Sequence, residues 1–280
     1  MNRVATTSRT VIVAAVLAVS GGFASAGAQP LSYSEPTYAD LADLADSAPV
    51  VAHVQVRDAA RVKDARAPGL QPGHGRFFVR AKTRALLTGT SPIGESLRYL
   101  VDLPLDAKGK PAKLAKAEVL IFASPAPRAG EVQLVAPDAQ IAWTPAREAQ
   151  VRTLLQDLLA DGAPGRVTGV REVIHVPGTL SGEGETQMFL TTRDGSAASI
   201  TVRHVPGGQP QWGASFSELI ADVGNPPRAD TLAWYRLACF LPNRLPSGAN
   251  LSETASARAQ AEADYRLVLG DLGRCDRNRD

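Results

Sequence analysis

Two cysteines, four histidines and no long apolar run: this 280-residue chain has little with which to anchor itself in a membrane, accept a lipid or hold a metal. The apolar run Val11–Val19 is broken by Ser20-Gly21-Gly22, whereas a helix needs ~20 consecutive apolar residues to cross a bilayer. No stable membrane anchor is expected from it. The first cysteine is Cys239, and no Arg-Arg pair precedes the run, so neither a lipidated start nor twin-arginine export is expected. His53, His74, His175 and His204 each stand alone, without a second ligand at the short spacing that metal sites use. No metal and no cofactor is therefore predicted.

What is present at the start has the order of a secretory signal: Arg3 and Arg9, the apolar run, then small-x-small sites at Ala24-Ser25-Ala26 and Ala26-Gly27-Ala28. Residues 1–28 are predicted to be that signal, with cleavage after Ala26 or Ala28. The full chain carries 30 basic and 28 acidic residues; losing Arg3 and Arg9 leaves it formally neutral. Neutrality argues against a general nucleic-acid or anionic-membrane binder, since such affinity comes from excess Lys and Arg. The remaining length suits two ordinary domains, placed at 36–162 and 165–280.

Tyr38, Leu41 and Leu44 recur at three-residue spacing, which predicts a short helix ending near Pro49. Alternation then predicts a strand over Val50–Arg57 with one buried face, Val50, Ala52, Val54 and Val56. Further strands are predicted at Phe77–Leu87, Ser96–Leu103, Ala117–Ala123 and Val132–Ala136. Thr144-Pro145 opens a helix that Asp161-Gly162 stops. The second half reads as strands Val167–Val176, Glu185–Thr192 and Ser199–Val205, then helices Asp230–Leu241 and Leu251–Leu272, the last capped by Asn250. The predicted fold class is α+β: an N-terminal antiparallel β-barrel with flanking helices, then a small antiparallel sheet with two C-terminal helices.

Cys239 and Cys275, in a chain bound for an oxidising compartment, are predicted to form a disulfide that stabilises the fold by about 3–4 kcal/mol. Gly213-Ala214-Ser215-Phe216-Ser217 lacks the last glycine of a nucleophile elbow, and Ser215 or Ser217 is expected to cap a short turn instead. His175 and His204 fall in the predicted strands Val173–Val176 and Thr201–Val205 and could be neighbours on one sheet face, with Asp194 in the intervening turn. Gly178–Glu185 has two acids and no lysine, so it is no phosphate loop; its acids could hold calcium only weakly. Arg80, Lys82 and Arg84 share a strand face, and with Lys108, Lys110, Lys113 and Lys116 could form a patch for an anion.

The stretches Tyr38–Asp46, Gly182–Gln187 and Leu232–Cys239 resemble those of a set of exported proteins from sphingomonad-type bacteria. The resemblance implies export and supplies no catalytic residue. Residues 38–160, with Leu86-Leu87-Thr88-Gly89 after Arg84-Ala85, are similar in element order to the OB-type barrels of netrin-like exported modules, which implies ligand or partner binding. The expectation is a non-enzymatic periplasmic or secreted protein that binds an envelope partner or small ligand. The competing expectation is a serine hydrolase using Ser215 or Ser181 with His175 or His204.

Overall fold

A reciprocal cap opens the fold: the Thr37 hydroxyl accepts the Asp40 N–H, and the Asp40 carboxylate accepts the Thr37 N–H. It starts α1 (Tyr38–Ser47), whose Leu41 and Leu44 are buried while its aspartates face elsewhere. The structure is a computed structural model and describes residues 35–89, 93–219 and 223–279. The predicted export signal lies outside the described residues. None of the described helices is long and apolar enough to cross a membrane.

The first sheet contains β1 (Val50–Arg61), β2 (His74–Thr88), β3 (Ser96–Pro104), β4 (Glu118–Pro125), β5 (Val132–Leu134) and β6 (Gln140–Ala142). Its order is β3-β2-β1-β4-β5, antiparallel throughout, with β6 beside the first half of β4. An isolated parallel bridge joins Arg98 of β3 to Glu131, just before β5, and among the described residues the strands form no closed barrel of the kind expected. There the Arg98 N–H donates to Gly130 O at 2.8 Å and the Asp102 N–H to Pro137 O at 2.7 Å. Helix α2 (Pro145–Leu159) follows, capped by the Thr144 hydroxyl and opened by Pro145.

The second sheet is a meander of β7 (Val167–Pro177), β8 (Gly184–Thr192), β9 (Ser199–His204) and β10 (Gln211–Ser215), in the order β10-β9-β8-β7. Two more helices, α3 (Leu232–Ala238) and α4 (Ala255–Leu272), complete an α+β fold of antiparallel sheets, and α4 packs on β7. One hydrophobic cluster runs through the inner faces of both sheets and the helices, and the described residues form one compact unit.

Several predicted boundaries are corrected. The last helix starts behind Thr254, whose hydroxyl caps it, and not behind Asn250. Residues 249–251 are instead extended along the outer edge of β7, with the Val173 N–H donating to Ala249 O and the Leu251 N–H to Val173 O. A backbone committed to an edge cannot also be helical. The preceding helix ends at Ala238, three residues before the predicted Leu241. Strand β1 is buried on both faces at its start, since Val51 is covered and His53 stacks on Trp143 with ring centroids 4.5 Å apart. Two strands lack a predicted counterpart: β6 is only three residues long, and in β10 Gly213 and Ser215 obscure the alternation around buried Trp212.

The aspartate face of α1 is where the carboxy-terminal half docks. Asp46 takes two hydrogen bonds from Arg236, both 2.8 Å. Asp43 accepts from Tyr235 Oη and from Arg277, each at 2.6 Å. Asp40 accepts the backbone N–H groups of Asn278 and Arg279 at 3.0 and 3.2 Å. Cys239, at the end of α3, is disulfide-bonded to Cys275.

Candidate functional site

Strand alternation decides which side chains β2 and β3 present outward. Phe77, Val79 and Ala81 of β2 and Leu97 and Val101 of β3 point into the core, which leaves Phe78 and Leu100 outside, 38% and 47% exposed. With the β4–β5 loop they line a cavity of about 600 Å³, within the range of small-ligand sites. Three arginines stand around it. Arg76 is clamped by Asp102 through two bonds of 2.6 and 2.7 Å. Arg98 donates to Ala129 O at 3.3 Å and lies 3.7 Å from Glu131. The Arg128 guanidinium has no partner among the described residues.

Two of the three cations expected in a row on β2, Arg80 and Arg84, have partners. Arg80 pairs with Asp58 at 2.7 Å, and Arg84 donates to Gln55 at 2.7 Å and faces Glu118 at 3.6 Å. Across β1, His53 lies between Glu118 and Glu148, at 3.6 and 3.3 Å. The Trp143 indole N–H donating to Glu148 holds that carboxyl below its usual range against the opposing effect of burial, helped by Arg152 and His53.

A second cluster joins four elements. The Thr186 hydroxyl donates its single hydrogen to Asp264, so the His175 Nδ1, 2.8 Å from that oxygen, must be the donor to Thr186. Asp264 also accepts from His204 Nε2 at 2.8 Å and Gln260 at 2.9 Å. It is 1% exposed. The His175 ring lies so close to Gly184 that a Cβ there would come within 2.8 Å of Cε1, which explains a glycine opposite the end of β7. The strands therefore bring His175 and His204 together, as expected, but their shared partner is Asp264 of α4. Asp194 lies in the β8–β9 turn, where its carboxylate accepts from the Ser196 hydroxyl at 2.7 Å. The readable signal for Asp264 was an acid on the buried stripe Ala257, Ala261, Tyr265 and Val268.

This cluster predicts a pH dependence. Burial pushes the His175 imidazole down, the nearby Asp264 charge raises it, and His204 lowers it again; the net direction is downward. The groups facing it are Asp264 and Gln260 from α4, His204 from β9, Thr186 from β8 and the Ser252 hydroxyl, which accepts the His175 backbone N–H at 3.0 Å. With the folded value below the unfolded one of about 6.5, the unfolded chain takes up the proton first as pH falls. Stability from this group is complete above about pH 6.5 and declines below it. Urea midpoints measured from pH 7.5 to 5 should fall, and less so in His175→Gln; equal slopes for both proteins would disprove the assignment.

The serines lie elsewhere. Ser215 pairs opposite Ser199, five residues along β9 from His204, or roughly 16 Å at the rise of a strand. Its hydroxyl lies 3.0 Å from that of Ser217 and accepts the Ser217 N–H, while the Ser217 hydroxyl accepts the Leu219 N–H, the local capping expected of them. Ser181 sits in the exposed β7–β8 turn. Among the described residues no serine hydroxyl bonds a histidine ring. In that turn the Glu183 carboxylate accepts the N–H groups of Thr179 and Leu180, both at 3.1 Å, and Glu185 pairs with Arg203. Among the described residues no three His, Cys, Asp or Glu side chains are grouped to hold a metal ion. No family model matches the chain, and no curated protein is similar to it.

Proposed function

We propose that the protein is a non-enzymatic exported binding protein whose first sheet is an OB-like barrel. It takes an envelope ligand or partner group in the groove of β2 and β3. The observation that carries this reading is the grouping of exposed Phe78 and Leu100 with Arg128, whose guanidinium has no partner among the described residues. Exposed apolar side chains grouped in a cavity mark a surface that gains by being covered, and a free guanidinium offers a strong, bidentate partner to an acidic group. The ligand that fits is an anion with an apolar portion.

The barrel reading is supported by the strand order and by the meeting of the β3 and β5 edges. Partly open five-stranded barrels of this type use strands two and three and the four–five loop to bind ligands; Arg128 stands in that loop. Export to the periplasm or medium is supported by the signal-like start and by the disulfide. The separation of Ser215 from His204 favours binding over serine hydrolysis.

Titration calorimetry with acidic oligosaccharides and with short acidic peptides carrying one leucine tests the reading. One ligand is expected to bind one to one, and Leu100→Asp and Arg128→Glu are each expected to weaken it about tenfold or more, equivalent to about 1.4 kcal/mol. No binding across the panel, or binding unchanged in both variants, would refute it.

A further inference from the structure

The second sheet carries a separate cavity of about 340 Å³, between the face of β8 that points away from the core, the β8–β9 turn and the chain just after β10. Its wall is rich in hydroxyls, Thr191, Ser196, Ser199 and Ser217 among them, and includes the ring of Phe189. Ser199 is 8% exposed and lines the cavity, and its hydroxyl has no hydrogen-bond partner among the described residues. That hydroxyl can bond a group that enters the cavity in place of water. The Thr191 hydroxyl is likewise without a partner among the described residues, whereas Ser196 is held by Asp194 at 2.7 Å, so the turn presents a shaped rim.

The charges on this wall do not select an ion. Its two ionic groups, Arg171 and Glu218, are of opposite sign. Arg171 is already 3.3 Å from Glu172 and lies over Phe189, 5.7 Å from the ring centroid. Hydroxyl groups both donate and accept, so they are matched best by hydroxyls; a carboxylate can only accept and an ammonium can only donate. Phe189 adds an apolar surface for C–H groups, the combination of apolar wall and few placed polar groups that small-ligand sites use.

From these features we infer that the cavity binds a small uncharged polyhydroxylated molecule with the chemistry of a monosaccharide. The inference is independent of the groove on the first sheet. Amide NMR titrations with glucose, galactose, mannose and N-acetylglucosamine test it, with serine and acetate as a zwitterion and an anion. At least one sugar is expected to give saturable shifts centred on residues 189–199 and 215–219. Ser199→Ala, which removes one unpartnered hydroxyl without adding bulk, should weaken that sugar about fivefold. Phe189→Ala should weaken it about tenfold and provides a second reading at a half-buried position. No response to any of the sugars, shifts from serine or acetate in their place, or unchanged sugar affinity in both variants would each overturn the assignment.

Discussion

In Arg236→Ala the thermal midpoint is expected to fall by about 10 °C, corresponding to a loss of about 3–5 kcal/mol. Arg236 is 5% exposed and joins three parts of the chain: Asp46 of α1 through two bonds of 2.8 Å, the Pro164 carbonyl at 2.9 Å, and the ring of its neighbour Tyr235. Truncation leaves the Asp46 carboxylate, with only 19% of its side chain exposed, without the cation that compensates its burial. Burial alone would raise the Asp46 carboxyl; the bonds and charge of Arg236, with Arg166 and Arg193, hold it below its ordinary value. A carboxyl depressed in the folded state stabilises above its unfolded value near 4, and that contribution is lost as pH falls through the folded one. Arg236→Ala should therefore lose part of the acid sensitivity as well as stability. Arg236→Lys keeps the charge without the planar fork and should fall between. In the double variant with Asp46→Ala the losses should be less than additive, because both single changes break the same pair. Calorimetry reads all three, and a loss below about 1 kcal/mol in Arg236→Ala would mean the pair is not a joint of the fold.

How much of this was legible beforehand differs by element. The reading of α2 rested on Thr144-Pro145 and the spacing of Val151, Leu154 and Leu155, and those local signals alone determine where it begins. Long alternating strands such as β2 and β8 were equally plain, since each has one buried face. Tertiary pairing decided what local pattern could not. Residues 249–251 adopt an extended course because β7 offers them an edge. Gln140–Ala142 is a strand only because β4 lies beside it. The same holds for the sites. His175 and His204 could be placed on one face of the same sheet, but Asp264 comes from a helix 60 residues from His204 along the chain. The groove needed the approach of β3 to the β4–β5 loop, a contact with no local sequence signature. The Ala-Asp-Leu repeat of α1 shows a helix through its leucines, whereas nothing local shows that its aspartates receive Arg277, Asn278 and Arg279.

That segment is why breaking the disulfide should have an effect nearly as large as losing Arg236. A cross-link spanning 36 residues removes enough freedom from the unfolded chain to be worth about 4 kcal/mol on the chain-entropy account. In Cys275→Ser the midpoint should accordingly fall by roughly 10 °C. A local effect should accompany the global one. Beyond Cys275 the chain is held by polar bonds: Arg277 to Asp43, the N–H groups of Asn278 and Arg279 to Asp40, the Asn278 amide to Glu35 O and the Arg279 guanidinium to Asp138 at 2.8 Å. Such bonds have modest net strength when the segment is free to exchange them for water, and they depend on the cross-link keeping the segment beside α1. Asp40 is 2% exposed and accepts three backbone N–H groups, two of them from this segment. Its release would leave only the Thr37 bond, uncover the carboxylate and weaken the start of α1. Hydrogen exchange should therefore show protection lost at Asn278, Arg279 and the first turn of α1 before β1 or β8 is affected, both in Cys275→Ser and in wild type held in excess dithiothreitol. Uniform loss of protection would show that the disulfide acts only through the unfolded chain, and an unchanged midpoint would remove its role in stability altogether.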